Sequence, residues 1–270
     1  MTLFQALLLG IVQGITEFLP ISSSGHLVLV PHLLGWEIPA NQAFVFDVLV
    51  QMGTLVAVIV YFWDDLWHIG RGFLIALTHR RPLESPEARL GWYLIVATLP
   101  AVVAGLLFKD AIETAFGSPR AVGFFLWGTA ALLVVGEALG KRTRNLAQLH
   151  WADALVVGLF QVLALFPGVS RSGSTISGGM LRNFDRPTAA RFSFLMSVPV
   201  MVGAGLVALK DLLAMPTSAQ VAAPVAVGFL AALLSGYAAI RWLLRYLSQH
   251  SLYVFALYCL AAGALILWTV

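Results

Sequence analysis

Charged residues are scarce in this chain. Its 270 residues include only 16 Lys and Arg and 13 Asp and Glu, whereas 60% of the residues are hydrophobic. The mean hydropathy of +0.88 lies well above that of ordinary soluble domains. The composition therefore excludes a water-soluble globular protein and indicates an integral membrane protein.

Cysteine is nearly absent as well. Cys259 is the single cysteine of the chain, and it falls within an apolar stretch. A disulfide framework or a cysteine-based metal site requires at least one further cysteine, so neither is available. Redox chemistry is not expected.

Long hydrophobic runs, in contrast, are abundant. A run of about 20 apolar residues matches the hydrocarbon thickness of a bilayer. Six runs of this kind each predict a transmembrane helix: residues 43–62, 90–108, 120–139, 190–208, 221–245 and 251–270.

Two further apolar stretches, residues 3–34 and 152–181, are interrupted at their centres. The interruptions are Pro20 with Ser22–Gly25 in the first stretch and Pro167-Gly168 with Ser170–Gly173 in the second. Irregular backbone at membrane depth is tolerated only where protein or a wet cavity satisfies its N–H and C=O groups. Each stretch therefore predicts a re-entrant helix hairpin whose tip lines a cavity.

The basic residues favour one orientation in the membrane, because cytoplasmic segments are enriched in Lys and Arg. We assign to the cytoplasm the segments that carry Arg71, Arg80, Arg81 and Arg89; Lys141, Arg142 and Arg144; Arg182, Arg186 and Arg191; and Arg241 and Arg245. Lys109, Arg120 and Lys210 then fall outside, near Asp110, Glu113 and Asp211. This orientation places both termini outside and opens the two hairpins to opposite sides, so that their tips meet in mid-membrane. It also accounts for the net charge of +3, and nucleic-acid binding is not expected.

Residues 10–25 (GIVQGITEFLPISSSG) align without a gap over residues 158–173 (GLFQVLALFPGVSRSG). The identical pairs are Gly10/Gly158, Gln13/Gln161, Phe18/Phe166, Ser22/Ser170, Ser24/Ser172 and Gly25/Gly173. Chance identity between apolar segments is the alternative, but the matches include polar residues, which favours duplication. Each half contains one hairpin and three crossings, and this odd number inverts the second half. The sequence thus predicts an all-α membrane domain, residues 1–270, built from inverted-topology halves 1–147 and 148–270.

The first tip concentrates polar side chains. Gln13 and Glu17 are spaced i, i+4 and share one helical face ahead of Pro20. An ionisable residue inside a membrane segment indicates a functional site by default, and a carboxylate beside an amide oxygen suits a hard cation such as Mg²⁺. The residues that follow add hydroxyls, free backbone donors and an imidazole: Ser22, Ser23, Ser24, Gly25 and His26. Helix–helix hydrogen bonding and helix capping are the structural alternatives.

The second tip carries Arg171 in an otherwise uncharged stretch. The planar guanidinium fits phosphate oxygens, and Gly168 and Gly173 let backbone N–H groups approach a ligand near the start of a helix. This pattern is typical of a phosphate-binding loop. A salt bridge between Arg171 and Glu17 that only joins the tips is the alternative. Asp47 and Glu137, near the ends of predicted spans, are assigned solvated roles.

These motifs resemble those of the bacterial undecaprenyl-diphosphate phosphatases associated with bacitracin resistance. The first signature is QGITE, Gln13–Glu17, followed by PISSSGH, and the second is PGVSRSGST, Pro167–Thr175. The resemblance spans nearly the whole chain. It implies hydrolysis of undecaprenyl diphosphate to undecaprenyl phosphate and inorganic phosphate, which recycles the carrier lipid for peptidoglycan synthesis in the inner membrane and confers bacitracin resistance.

The resemblance also implies roles for individual residues. Glu17, Ser23, His26 and Arg171 correspond to the essential set, and Ser170, Ser172 and Thr175 surround the phosphates together with Ser22, Ser24, Gly25, Gly168 and Gly173. It implies a divalent cation, Mg²⁺ or Ca²⁺, for which Glu17 and Gln13 are the candidate ligands; Gln13 is the weaker ligand of the two. The site is expected to open to the periplasmic side, and the sequence leaves open whether the active form is a monomer or a homodimer.

The corresponding mechanistic hypothesis is that Arg171, backbone donors and the cation neutralise the diphosphate. Ser23 is the nucleophile or positions the attacking water, and His26 moves the proton. One rival is a polyprenyl-phosphate flippase or transporter, because inverted repeats with broken helices are typical of transporters. A second rival is a structural protein in which Glu17 and Arg171 form a buried ion pair.

Overall fold

The structure is a computed structural model that describes residues 1–116, 118–214 and 219–270, without the side chains of residues 40, 41, 113, 207–214 and 219–221. Glu113, Lys210 and Asp211, which the charge pattern assigns to the outside, therefore lie outside the described side chains. Within the described ranges all regular secondary structure is helical, and no β-strand forms.

Twelve α-helices follow one another in these ranges. They are α1 (Leu3–Phe18), α2 (Ser23–Leu33), α3 (Ala40–Tyr61), α4 (Trp63–Thr78), α5 (Pro86–Leu107), α6 (Lys109–Phe116), α7 (Pro119–Leu139), α8 (Trp151–Leu163), α9 (Arg171–Leu181), α10 (Arg186–Ala214), α11 (Ala219–Leu247) and α12 (Tyr253–Thr269). A short 3₁₀ helix, Leu146–Gln148, lies between α7 and α8.

Five of the helices are long and apolar enough to cross a membrane. The qualifying segments are Gln42–Tyr61, Pro86–Leu107, Pro119–Leu139, Arg186–Leu206 and Ala222–Leu247. They coincide with five of the six predicted spans, which confirms an all-α protein of the multi-pass membrane class. The sixth predicted span corresponds to α12, an apolar helix of 17 residues.

Two helices lie in segments between the predicted spans, for which the sequence predicted no helix. Helix α4 begins with Asp64 and Asp65 in its first turn, where carboxylates complement the helix dipole. It buries Ile69 and Ala76, which are one heptad apart on one face. The interspersed charges lower its hydropathy, so a search for continuous apolar runs overlooks it. Helix α6 is also short and amphipathic.

The helices end and begin where the sequence predicted breaks. Helix α1 ends at Phe18 and α2 begins at Ser23, while α8 ends at Leu163 and α9 begins at Arg171. Ser22 and Ser170 are the N-caps of α2 and α9, and each accepts a hydrogen bond from the backbone N–H three residues later. The turn residues thus start two helices at the centre of the protein.

The first helix of each of the two helix pairs, α1–α2 and α8–α9, packs on a helix from the other half of the chain. Helix α1 packs against α11, and α8 packs against α5. Gly10 and Gly158, which are paired in the repeat, make equivalent close approaches. A Cβ on Gly10 would lie 2.4 Å from the Gly228 carbonyl oxygen, and one on Gly158 would lie 2.5 Å from the Ala97 carbonyl oxygen. Both contacts require glycine.

Two buried carboxylates, Glu137 and Asp153, connect segments at one end of the molecule through hydrogen bonds. The arginines of these segments lie in the ranges 142–144 and 182–186. Glu137, 3% exposed, accepts hydrogen bonds from Arg142, Arg186 and the backbone N–H of Leu252. The prediction of a solvated role for Glu137 is therefore wrong, because three donors from separate segments enclose it.

Asp153 is the second of these carboxylates and is fully buried. It accepts hydrogen bonds from Arg144 at 2.6 Å and from Arg182 at 2.7 Å. Burial alone would raise the pKa of Asp153, but the hydrogen bonds from the two arginines outweigh it and hold the pKa at about 2. Asp153 therefore remains ionised at neutral pH and joins the start of α8 to the end of α9.

Candidate active site

The two tips are in direct contact. The Gly168 N–H donates a hydrogen bond to Ser24 Oγ at 3.4 Å, and Ser172 Oγ donates to the Leu19 carbonyl oxygen at 3.0 Å. Ser24 and Ser172 are paired in the repeat, so each tip contributes the same serine to its neighbour. The structure thus brings together two segments that are separated by 148 residues in the alignment.

The tips also share an internal geometry. Ser22 Oγ lies 3.2 Å from Ser24 Oγ in the first tip, and Ser170 Oγ lies 3.1 Å from Ser172 Oγ in the second. Each capping serine leaves the other first N–H groups of its helix without an intrahelical acceptor, as at every helix start. Two helix N-termini, each with positive partial charge, therefore converge at one place.

Glu17 is the centre of the site. Its Oε1 accepts a hydrogen bond from Arg171 Nη2 at 2.8 Å. Its Oε2 accepts one from Ser23 Oγ at 2.7 Å and one from Gln13 Nε2 at 3.1 Å. The residue is only 8% exposed, and its carboxylate therefore depends on these donors for its stability as an anion. Three other predicted site residues, from both tips, therefore donate to this one carboxylate.

Arg171 retains an unused donor. Its Nη2 is paired with Glu17, but its Nη1 is buried and has no hydrogen-bond partner within the described part of the chain. A buried donor without an acceptor is costly, and such a group calls for a ligand. An oxyanion fits it, because a guanidinium binds phosphate oxygens through paired N–H groups.

A cavity of about 360 Å³ lies beside these groups. Its polar lining includes Glu17, Ser22, Ser23, Ser24, Gln51, Gln161, Ser170 and Arg171. Its apolar lining includes Ala101, Ile112, Phe116, Val169, Val200 and Met201. The cavity thus joins a polar end at the two tips to an apolar wall formed by helices α5, α6 and α10.

His26 lies apart from the Glu17 group. Its Nδ1 is 2.7 Å from the Ser22 carbonyl oxygen and its Nε2 is 2.6 Å from the Tyr258 hydroxyl. A carbonyl oxygen only accepts, so Nδ1 carries the proton and Nε2 of the neutral ring accepts from Tyr258. His26 therefore supports the turn at Ser22, whose φ is +71°, and Ser23 faces Glu17 instead.

The remaining predicted residues build the tips. Gly168 has φ +97°, and a Cβ there would lie 2.5 Å from the Val122 carbonyl oxygen. Thr175 is fully buried and donates to the Arg171 carbonyl oxygen at 2.7 Å, with Ser193 Oγ at 2.6 Å. Gly25 and Gly173 supply the N–H groups that the capping serines accept. These side chains and glycines are not among the residues that line the cavity in the described part of the chain.

Three residues of this region were not predicted from the sequence to belong to the site. Thr129 accepts from the Ser170 N–H at 2.9 Å and donates to the Gly168 carbonyl oxygen at 3.0 Å, which fixes the second tip on α7. Gln51 and Gln161 line the cavity. Gln161 had appeared only as the repeat partner of Gln13, and a lone Thr or Gln in an apolar helix gives little signal by itself.

The oxygen atoms available as metal ligands at this cavity suit a cation that keeps much of its hydration shell. No cluster of three or more His, Cys, Asp or Glu side chains able to hold a metal occurs among the described residues. Mg²⁺ usually binds through one or two carboxylates while water and substrate phosphates complete its shell. Glu17 and the amide oxygens that line the cavity fit this kind of site.

The chain matches a family model over residues 6–265, and the description of that family is bacitracin resistance protein BacA. It is 45% identical to the undecaprenyl-diphosphatase of Chlorobaculum tepidum over 271 residues, which cover 97% of this chain and 95% of the relative. It is 46% identical to the undecaprenyl-diphosphatase of Rubrobacter xylanophilus over 264 residues, covering 98% and 97% of the two chains. The Thermomicrobium roseum protein of the same name is 43% identical over 277 residues, covering 100% and 99%. The match along almost the full length, together with the two tips at one cavity, shows that this chain belongs to the bacitracin resistance protein BacA family.

Proposed function

We propose that the protein is an undecaprenyl-diphosphate phosphatase, which hydrolyses the lipid diphosphate to undecaprenyl phosphate and inorganic phosphate. The observation that carries this proposal is the unpaired Arg171 Nη1, buried beside Glu17 and Ser23 at the polar end of the cavity. The names of the relatives support it. The reaction recycles the carrier lipid for peptidoglycan synthesis, and this activity underlies bacitracin resistance.

The terminal phosphate is bound at the polar end of the cavity. Arg171 Nη1 and the first backbone N–H groups of α2 and α9 donate to its oxygens, and the convergent helix N-termini favour its negative charge. When the phosphate enters, it competes with Glu17 for Arg171 and satisfies the unused donor. Phosphoryl transfer depends mainly on this kind of positioning and charge stabilisation.

Ser23 supplies or positions the nucleophile. Its hydroxyl already donates to Glu17 Oε2 at 2.7 Å, so Glu17 is the group placed to accept the proton of the nucleophile. If Ser23 Oγ attacks the terminal phosphorus, the bond from phosphorus to the bridging oxygen breaks, undecaprenyl phosphate leaves, and a water then hydrolyses the phosphoserine to inorganic phosphate. If Ser23 only orients a water, that water attacks phosphorus, the same bond breaks, and both products form in one step. This assignment differs from the sequence-based hypothesis in which His26 moves that proton, because both nitrogens of His26 are engaged by Ser22 and Tyr258. His26 acts as a positioning residue for the turn that carries Ser23.

The apolar wall of the cavity receives the start of the prenyl chain. Ile112 and Phe116 of α6 and Val200 and Met201 of α10 lie on this side of the site. A lipid that enters laterally from the bilayer keeps its hydrocarbon in contact with such side chains while its diphosphate reaches the tips. The combination of an apolar wall and a phosphate-binding end supports a lipid diphosphate over a soluble one.

A divalent cation, Mg²⁺ or Ca²⁺, is part of this proposal. When bound, it would neutralise charge on the diphosphate and polarise its phosphoryl oxygens. Glu17 would hold it. Gln13, the other candidate from the sequence, directs Nε2 rather than oxygen to Glu17 and does not line the cavity in the described residues. Gln13 therefore serves to orient the carboxylate.

The topology proposed for the membrane is six crossings, with α12 as the sixth, and two re-entrant hairpins in an inverted repeat. The equivalent contacts of Gly10 and Gly158 and the reciprocal bonds of Ser24 and Ser172 support the repeat. The cavity reaches α6, which belongs to a segment that the charge pattern places outside. The site would then open to the periplasmic side of the inner membrane.

The transporter alternative draws on the same architecture but has less support. The relatives described above are named as diphosphatases, and the Ser23–Glu17–Arg171 arrangement provides hydrolytic groups that transport does not need. A transporter requires two compartments, whereas hydrolysis does not. The two functions therefore separate in detergent solution.

The decisive experiment measures phosphate release from undecaprenyl diphosphate by the purified protein in detergent, with and without a divalent cation. We expect cation-dependent release by the wild type, and its loss in Arg171→Ala and Glu17→Ala variants that remain folded. Gln249→Leu, at an exposed glutamine after α11, is the control that should keep full activity. An inactive wild type would contradict the proposed function, and active tip variants would move the site elsewhere.

A further inference from the structure

Gln161 carries a second unpaired polar atom at this cavity. Its side chain is 2% exposed, and its Oε1 is buried without a hydrogen-bond partner within the described residues. Gln161 lines the same cavity as Glu17, Ser23 and Arg171. A buried amide oxygen with no donor is unfavourable unless a ligand supplies one.

The orientation of this amide is fixed by its other end. Gln161 Nε2 donates to the Ala97 carbonyl oxygen of α5 at 3.4 Å. Because a carbonyl oxygen only accepts, the nitrogen faces Ala97 and the oxygen is the atom that remains unpaired. Gly158, one turn earlier on α8, allows this contact, since a Cβ there would lie 2.5 Å from the same carbonyl oxygen.

Gln161 Oε1 and Arg171 Nη1 need partners of different chemistry. Arg171 Nη1 requires an acceptor, which a phosphate oxygen provides. Gln161 Oε1 requires a donor or a cation, and an ionised phosphate oxygen is neither. A diphosphate that carries a divalent cation satisfies both atoms, since its oxyanion accepts from Arg171 and the cation, or a water bound to it, meets Gln161 Oε1.

We infer that Gln161 is a cation-binding residue of this site, and that its Oε1 binds the divalent cation that accompanies the diphosphate, either directly or through one water of the cation. This inference rests on the proposed function and adds to the site an amide oxygen from α8, the helix that precedes the second tip. Its repeat partner Gln13 turns its nitrogen toward Glu17 Oε2. The two paired glutamines thus have divided roles: Gln13 orients the carboxylate and Gln161 offers the oxygen.

The test measures Mn²⁺ binding to the purified protein by electron paramagnetic resonance of the free ion. Methylene diphosphonate, a soluble diphosphate mimic that is not hydrolysed, is present at saturation. Gln161→Met removes the oxygen at similar side-chain length, and Gln161→Glu retains an oxygen. Gln249→Met is the matched control, at an exposed glutamine that does not line the cavity.

We expect Gln161→Met to weaken Mn²⁺ binding roughly 10- to 100-fold, the range observed when a group that supports a bound metal is removed. Gln161→Glu should bind Mn²⁺ at least as tightly as the wild type, because it adds negative charge. Wild-type affinity in Gln161→Met, weaker binding in Gln161→Glu, or no Mn²⁺ binding by the wild type would each overturn the inference. If Gln161→Met fails to fold, the Gln161→Glu result decides.

Phosphate release measured on the same preparations separates this inference from the proposed function. An active wild type whose Mn²⁺ affinity does not change in Gln161→Met rejects the role of Gln161 and leaves the phosphatase intact. A wild type that binds Mn²⁺ through Gln161 but releases no phosphate rejects the phosphatase and supports the cation site. The cation concentration for half-maximal activity should rise in Gln161→Met in parallel with the loss of affinity.

Discussion

The ion pair between Glu17 and Arg171 is the contact that most sharply separates a catalytic site from a structural one. Both side chains are largely buried, with relative exposures of 7% for Glu17 and 13% for Arg171, and their charged atoms are 2.8 Å apart. Removing one partner of a buried pair leaves the other charge uncompensated, at a cost of about 3–5 kcal/mol. Arg171→Met and Glu17→Gln should therefore each lower stability by an amount of this order.

The double variant Glu17→Gln/Arg171→Met should regain most of that stability, because neither buried charge remains. Its activity should remain absent, since a group that stabilises transition-state charge contributes roughly 10²–10³-fold to the rate. Thermal unfolding in detergent and phosphate release at saturating cation measure the two quantities on the same sample. Stability and activity should thus respond differently to the second substitution.

A buried pair away from the cavity is the control. Glu137 and Arg186 form an ion pair with 2% and 22% relative exposure. Glu137→Gln and Arg186→Met should lower the unfolding temperature while activity per folded molecule remains near that of the wild type. If the double variant at the tips recovers activity together with stability, the Glu17–Arg171 pair is structural and the reasoning about the site is refuted.

Four further predictions follow from other contacts. Gly168→Ala should cost about 1–3 kcal/mol of stability and most of the activity, because φ +97° strains any residue other than glycine. Thermal unfolding and phosphate release measure the two effects, and wild-type values for both would contradict this prediction. His26→Gln, which retains a donor for Ser22, should retain more activity than His26→Ala with an unchanged pH profile; a shifted profile would restore His26 as the proton carrier. Asp153 is stabilising above its ordinary pKa of 3.8 and loses this effect as the pH falls through about 2, so the wild type should lose more thermal stability than Asp153→Asn in that interval. In a cysteine-free variant in intact cells, an impermeant maleimide should label Thr114→Cys and spare Leu83→Cys, and the reverse pattern would contradict the proposed orientation.

The sequence predicted the tips because their signal is local and repeated. Polar residues in apolar stretches, the positions of Pro20 and Gly168, and the gap-free alignment identify both segments without knowledge of their neighbours. The structure then brings Glu17, Ser23 and Arg171 together. Five predicted spans also coincide with helices, since length and hydropathy suffice to locate them.

Contacts between residues that are distant in sequence could not be predicted from the sequence. The support of the second tip by Thr129, the contact between His26 and Tyr258, and the tie between Gln161 and Ala97 each join residues from separate helices. Their side chains show no pattern along the chain, because each partner is a single polar residue or a backbone carbonyl. Glu137 was misjudged for the same reason, since its position at the end of a span does not reveal the donors that surround it.

The crossed packing of the helix pairs constrains how the protein can move. Rigid-body rocking of one half of the chain against the other, as in many transporters, would require α1 to leave α11 and α8 to leave α5. At Gly10 and Gly158 these helices meet backbone to backbone, and the tips are linked by bonds in both directions. These contacts hold the two halves of the chain together. We therefore expect a movement that admits a lipid to occur in the helices at the rim of the cavity rather than by separation of the halves.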